Sequence, residues 1–359
     1  MLAAKKQQVG GYVSRSDYRM WLRRSVSVVA ITGLLCSCAP GSMSTQSQRI
    51  GTDDGTDSCR TQLVALDSTG NFFGADILQG AAIGAGTGAL AGGLIGGLAT
   101  GNWRGAAIGA VAGGVTGGVI GASNAYWNAL QQQRMDQASL YSRVSLDLQH
   151  ENTQIDKTQL AFDALVDCRY RQAQAINTDY RMHRINRASA EAAMALVRQR
   201  AAKDLALARM ISQQIQDRGQ QFGVAAGNID PSAQAAFTAP AVPSQPAVVR
   251  TAAPIKLRPD PGAPDVAQLK PNEHVTVSSG RNGYALVQTA SGQQGYVSAS
   301  DLQGSGGRRG ISVPTSTPVA TSSDMRTLAG SNAARRDDFA QSVAVTEKQE
   351  ASGFELSTS

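Results

Sequence analysis

The chain has 359 residues, with 33 Lys and Arg against 27 Asp and Glu, a formal net charge of +6 and 5% aromatic residues. Residues 1–37 hold six of the basic residues and one of the acidic ones, so the rest of the chain carries 27 against 26 and is close to neutral. That near balance leaves no basic footprint for a nucleic-acid partner.

Residues 1–37 have the order of a secretory signal: Arg23-Arg24, a short apolar run over 25–35, then Leu35-Cys36-Ser37-Cys38. Residues 1–19 read as superfluous, because Met20-Trp21-Leu22-Arg23-Arg24 is itself a suitable start. The ending resembles a bacterial lipobox, with Leu35 three before Cys38 and Ser37 just before it. By that resemblance Cys38 carries the lipid. Cys36 fits less well, because Leu35 would then fill the small-residue position. An ordinary signal peptide with incidental cysteines, or an N-terminal anchor helix, is the alternative. The resemblance to such lipoproteins also implies, through Ala39 after the cysteine, the outer membrane of a Gram-negative host. The chain would be lipid-anchored there and would face the periplasm.

Residues 38–73 read as a tether followed by a short helix. Positions 39–57 are mostly Ser, Thr, Gly, Asp and Gln, which suits a flexible leash, and CRTQLVAL over 59–66 suits a helical turn or two. With Cys36 in the signal and Cys38 lipidated, Cys59 and Cys168 remain. In an oxidising periplasm they suggest one disulfide within the chain; two free thiols or a bond between chains are the alternatives. Should a straight helix run on from the next segment, Cys168 would lie roughly 60 Å away, close to the full reach of the tether. A turn near His150-Glu151-Asn152-Thr153 would relax that constraint.

Residues 74–123 carry the most regular pattern. Glycines stand at 80, 84, 88, 92 and 96, and again at 105, 109, 113, 117 and 121. The runs over 80–96 and 105–121 match at eleven of seventeen positions, and residues 77–103 and 105–133 hold no charge. Glycine costs roughly 1 kcal/mol against Ala inside a helix, so this register needs a compensating gain. A spacing of four puts Gly80, Gly84, Gly88, Gly92 and Gly96 on one face, and Gly105, Gly109, Gly113, Gly117 and Gly121 on another. Such bare faces let backbones approach closely. Thr100-Gly101-Asn102-Trp103-Arg104 is turn-rich, so the copies are expected to form an antiparallel helical hairpin. The segment resembles the glycine-zipper segments of bacterial outer-membrane lipoproteins. Private packing of one hairpin, and oligomerisation or bilayer insertion, both stay open. The length would span a bilayer, but Gly and Ala supply a weak apolar drive.

Over 124–222 apolar residues recur at three and four, as in Ile155, Phe162, Leu165 and Val166, and in Leu207, Met210, Ile211 and Ile215. This predicts long amphipathic, coiled-coil-like helices with a break at 184–189 and Ser189 as cap. Tyr126, Trp127 and Tyr141 are either packing residues or an interfacial belt. The arginines of 167–201 read as a solvated face. Residues 223–246 read as an Ala- and Pro-rich linker.

Residues 247–303 read as short strands broken by Gly, Pro, Asn and Ser, a small barrel. The order LRPDPG, VAQLKPNEHVTV and GYALVQTASGQQGYVSASDL resembles the bacterial SH3-like domain. Asn272 stands where such domains usually have Gly, and Tyr284 where Trp is common. The resemblance implies a binding module, often for peptidoglycan or its stem peptides, and nominates Arg258, Tyr284 and Tyr296 as ligand contacts. The rings would give flat surfaces and the guanidinium a carboxylate partner; core packing of both tyrosines is the alternative. Residues 304–359 are expected to be disordered, with a transient helix over 331–348.

The expected fold is therefore multidomain α plus small all-β: a glycine-zipper helical hairpin, long coiled-coil-like helices, a C-terminal SH3-like β-barrel and disordered termini. The three histidines, His150, His183 and His274, show no metal-ligand spacing, and no Walker-type phosphate loop is present. No metal, no cofactor and no catalysis are expected. The expected function is a non-enzymatic cell-envelope lipoprotein anchored through membrane lipid. It packs or oligomerises through its zippers and binds peptidoglycan or an envelope protein. The rival is a membrane-inserted oligomeric subunit of an envelope-spanning secretion or transport assembly.

Overall fold

A computed structural model describes residues 46–84, 123–237, 244–304 and 324–353. The signal segment, Cys38, the turn at 100–104 and the glycines from Gly88 to Gly121 lie outside the described residues.

Helix α1 (Gln46–Ile50) precedes α2 (Arg60–Gly84), which takes the expected short helix at 59–66 and carries it on through Gly80 to Gly84. Helices α3 (Ala125–Gln132), α4 (Gln137–Arg181) and α5 (Arg187–Ile229) follow, then a short α6 (Pro231–Ala236). Their starts are set by polar caps. Asp136 accepts from Ser139 N at 2.7 Å and Asn186 from Ser189 N at 2.8 Å, and Asp230 caps α6 with Pro231 in the first turn. The cap of α5 is thus Asn186, with Ser189 as donor rather than as cap. His183 takes a φ of +55° in the connection. Helix α4 runs unbroken through His150–Thr153, and α5 extends to Ile229, into the expected linker.

Helices α4 and α5 lie antiparallel along a seam with a 4-3 alternation. On α5 the seam holds Ala190, Met194, Val197, Ala201, Asp204, Ala208, Ile211 and Ile215, all buried. On α4 it holds Val144, Leu148, Glu151, Ile155, Thr158, Phe162, Leu165 and Arg169. This is the heptad periodicity of a coiled coil. The charged members meet across the seam: Arg169 Nε donates to Asp204 at 2.6 Å, and Arg218 Nε to Glu151 at 2.9 Å. Helix α2 and the C-terminal helix α7 (Met325–Gly353) each pack on both α4 and α5. Their apolar faces share one core with Leu66, Phe73, Phe162, Ile211 and Phe339. The tail expected to be disordered is therefore helical over Met325–Gly353 and buried against its neighbours. The sequence pointed only to a transient helix over 331–348, because its inner positions include Asn332, Arg335, Arg336, Ser342 and Thr346, all buried, which give no apolar stripe to read.

Strands β1 (Gln245–Val249), β2 (Ala253–Lys256), β3 (Asp265–Leu269), β4 (His274–Arg281), β5 (Tyr284–Thr289), β6 (Gln294–Ser298) and β7 (Leu302–Gly304) form one antiparallel sheet in the order β3-β2-β6-β5-β4-β1-β7. β3 and β7 are its edges, so the sheet is open where a closed barrel was expected. Asn282 and Gly283 both have positive φ in the β4–β5 turn, the backbone a two-residue hairpin demands. Asn272 takes a φ of +65°, so it supplies the left-handed conformation for which Gly is the commoner choice. Ala285, Val287 and Val297 enter the core of the sheet. Leu286 and Tyr296 point the other way and are buried against Val345 of α7.

Candidate functional site

Two regions gather the residues singled out from the sequence. The first is the root of the zipper segment. Helix α2 runs antiparallel to α4: Cys59 is bonded to Cys168 across a separation of 109 residues, and Phe72 stacks edge-on with His150. The chain re-enters at α3, which packs on α2 and α5. Both ends of the segment 85–122 thus leave from one pole of the bundle. Around this pole Tyr126 donates to Asp147 at 2.6 Å and packs on Phe222, while Tyr141 Oη accepts from Met325 N at 3.0 Å. Tyr126, Trp127 and Tyr141 belong to an internal cluster with Leu130, Leu148 and Phe222, which makes them packing residues.

Glycine packing begins before the expected register. Gly70 lies against Ile211 of α5, and a Cβ there would collide with that side chain; at Gly74 a Cβ would come 3.2 Å from Gln214. A second ladder at spacing four, Gly219, Gly223 and Gly227 on α5, receives Arg336, Phe237 and Gln234. Its spacing is visible in the sequence and is the signal that reasoning passed over. Gly80 and Gly84 lie in the last turns of α2.

Below the pole, Arg169 is a junction. Its side chain is 3% exposed, and it donates to Asp204, through Nη2 to Asp57 at 2.9 Å, and to Gln172. Burial works against this cation, but the hydrogen bonds it donates to Asp57 and Asp204 hold its pKa above the usual arginine range. Asp57 also accepts from Cys59 N at 3.0 Å, so the disulfide and the ion pair fasten the same point. Arginine 169 had been read as part of a solvated face; the structure buries it.

The second region is the sheet face nominated for ligand binding. Arg258 Nε donates to Asp167 Oδ1 of α4 at 2.9 Å, and this bond keeps the guanidinium charged with a raised pKa. Tyr296 is 1% exposed and its phenol is pushed up to about 12 by burial. Tyr284 is half-buried beside it. All three therefore serve the seam between sheet and helices, because α4 and α7 cover this face. Arg281, not foreseen, joins them: it lies 3.9 Å from Asp338 and donates to Ser342 at 3.4 Å. Tyr170 of α4 donates to the Asp265 carbonyl at 2.8 Å.

Among the described residues no group of three or more His, Cys, Asp or Glu is placed to hold a metal ion. Among them, too, no helix is long and apolar enough to cross a membrane.

With this geometry in place, comparison with known families is informative for one stretch. Residues 60–125 match the YMGG-like Gly-zipper family. The match takes in α2, the glycine repeats and the start of α3. No curated protein and no solved structure matches the chain.

Proposed function

We propose that this chain is a non-catalytic protein of the cell envelope that holds a glycine-zipper segment at a membrane on a rigid helical base. Two attachments serve it: a lipid on Cys38, and the zipper segment itself. The outer membrane and its periplasmic side are the proposed location. The observation that carries this reading is the common pole from which both ends of segment 85–122 leave, in a bundle fastened by Cys59–Cys168. A base of this kind presents the zipper as one unit, and glycine faces then pack with each other or with lipid.

The sheet is read as an SH3-like module. In the closed arrangement it clamps α7 on α4. Binding of peptidoglycan or an envelope protein through Arg258, Tyr284 and Tyr296 requires that clamp to open. The test uses four full-length forms: the natural chain, one with residues 85–122 replaced by a short Gly-Ser linker, one with Cys38→Ser, and one with both. Membranes are washed with carbonate and blotted. The natural chain and both single changes are expected in the membrane fraction, and only the combined form in the supernatant. A combined form still held by membranes sinks the proposal. The paired, charge-free repeats also support the rival reading, a subunit of an envelope-spanning oligomer. That reading requires the linker replacement to reduce a large detergent-solubilised particle to a monomer.

A further inference from the structure

Past Ala173, α4 and α5 run on together as a two-helix finger. From Gln174 to Gln199 only Ala190, Met194 and Val197 are buried. Met194 and Val197 form a small core of their own with Ala173 and Ala201, and Tyr170 and Ile176 pack against it. The connection between Arg181 and Arg187 closes the finger, and His183 takes its positive φ there. Helix α4 holds 45 residues, so this turn lies about 65 Å along the helix from its start beside the zipper pole.

Two features set the finger apart. The first is its charge. Residues 171–199 carry Arg171, Arg181, Arg184, Arg187 and Arg198 against Asp179 and Glu191, and all five arginines are exposed. Residues 38–359 hold 27 basic and 26 acidic residues, so the part outside the finger has 22 against 24. The near balance of the chain thus hides a basic end and a slightly acidic body. The two acids do little to mask the arginines. Arg184–Asp179 at 3.1 Å and Arg187–Glu191 at 2.7 Å are exposed pairs, which contribute little and exchange easily for another anion. The second feature is apolar exposure. Met182 stands at the apex, next to Arg181 and two residues before Arg184, and is 57% exposed; Leu196 on α5 is 44% exposed.

A soluble polyanion would pair with the guanidinium groups and leave Met182 in water. An anionic lipid surface meets both needs. Its headgroups receive the arginines, whose apolar stems lie along the boundary, while the unbranched thioether chain enters the acyl region. The arginines come from both helices and from the turn, so a broad surface reaches more of them than a single thread does. We propose that the tip of the α4–α5 finger docks on an anionic lipid surface, at the end of the molecule opposite the zipper pole. With the zipper at a membrane as proposed above, the chain would bridge two surfaces; the docking itself does not rest on that reading. Such a contact is peripheral and weakens as salt rises, which separates it from the attachments that survive a carbonate wash.

The test uses the form with the Gly-Ser linker at 85–122 and Cys38→Ser, so that neither other attachment acts. It is floated at low salt with vesicles of phosphatidylcholine alone, and of phosphatidylcholine mixed with phosphatidylglycerol. Flotation is expected with the mixed vesicles only, and should fall with added salt. Arg171→Gln, Arg181→Gln and Arg184→Gln together should weaken it on the order of a hundred-fold, since each basic residue near such a surface contributes roughly a factor of five. Arg143→Gln, Lys157→Gln and Lys270→Gln remove the same charge from exposed positions elsewhere and should leave flotation nearly intact. Met182→Ser should weaken it several-fold. Equal loss in the two triple variants overturns the tip as the contact. Binding to soluble polyglutamate without flotation assigns the finger to a polymer and overturns the lipid surface. Absence of flotation with mixed vesicles overturns the docking, and leaves the reading of the zipper and the lipid untouched because both are missing from this form.

Discussion

Arg169 brings three segments together: Asp57 before α2, Asp204 on α5 and its own helix α4. A charge in the middle of a heptad seam costs desolvation, and its benefit is register, because only one sliding position of α4 on α5 brings Arg169 to Asp204 and Arg218 to Glu151. Arg169→Met should strand two acids and cost about 3–5 kcal/mol in a urea titration; a loss below about 1 kcal/mol would show that the junction contributes little. From the sequence, Asp204 and Arg169 were indistinguishable from surface charges, since only the antiparallel placement of α4 and α5 reveals that they meet. The acids of α7 act in the opposite sense to a stabilising ion pair. Glu350 faces Asp204, Glu347, Arg209 and Arg169, and Asp338 faces Asp337, Asp156, Arg281 and Arg335. Their pKa values are raised on folding, so their stabilising contribution is full below the unfolded carboxylate range and is lost as pH rises through about 6 and about 8. Glu350→Gln should therefore raise the melting temperature at pH 8.5 by about 2–4 °C and have a much smaller effect at pH 5. An equal effect at both pH values would point to packing instead.

At the level of elements, the long helices and their 4-3 spacing were legible in the apolar residues, and the strands in the Gly, Pro and Asn breaks. Helix α7 was legible only as a transient helix over 331–348, because a helix whose inner face mixes polar and apolar residues has a weak amphipathic signature. The glycine ladder of α5 was readable and overlooked. Gly219, Gly223 and Gly227 repeat on α5 the spacing found at 80–121, and there the bare face receives the side chains of Arg336, Phe237 and Gln234. The join of α2 to α4 is doubly fastened, by the disulfide and by Arg169–Asp57 beside it. Cys59→Ser with Cys168→Ser should cost about 2–4 kcal/mol through the freed unfolded chain yet leave the helical circular dichroism at 25 °C unchanged. Loss of that signal would mean that the ion pair cannot hold α2 in place.

For the molecule as a whole, the residues read as a ligand face lie on the side of the sheet that meets α4 and α7. Arg258 and Tyr296 were recognisable as an arginine beside aromatics, but the sequence does not say that Asp167 and Val345 of the same chain meet them. The zipper segment, by contrast, could be traced from the repeats alone, and the family match covers it. The bond between Cys59 and Cys168 encloses every glycine from 80 to 121 in one covalent ring. A single cut by a protease within that ring leaves one molecule of unchanged mass apart from an added water, and its two pieces separate only in reductant. A cut at any one point between Cys59 and Cys168 therefore does not detach the N-terminal segment from the body of the protein.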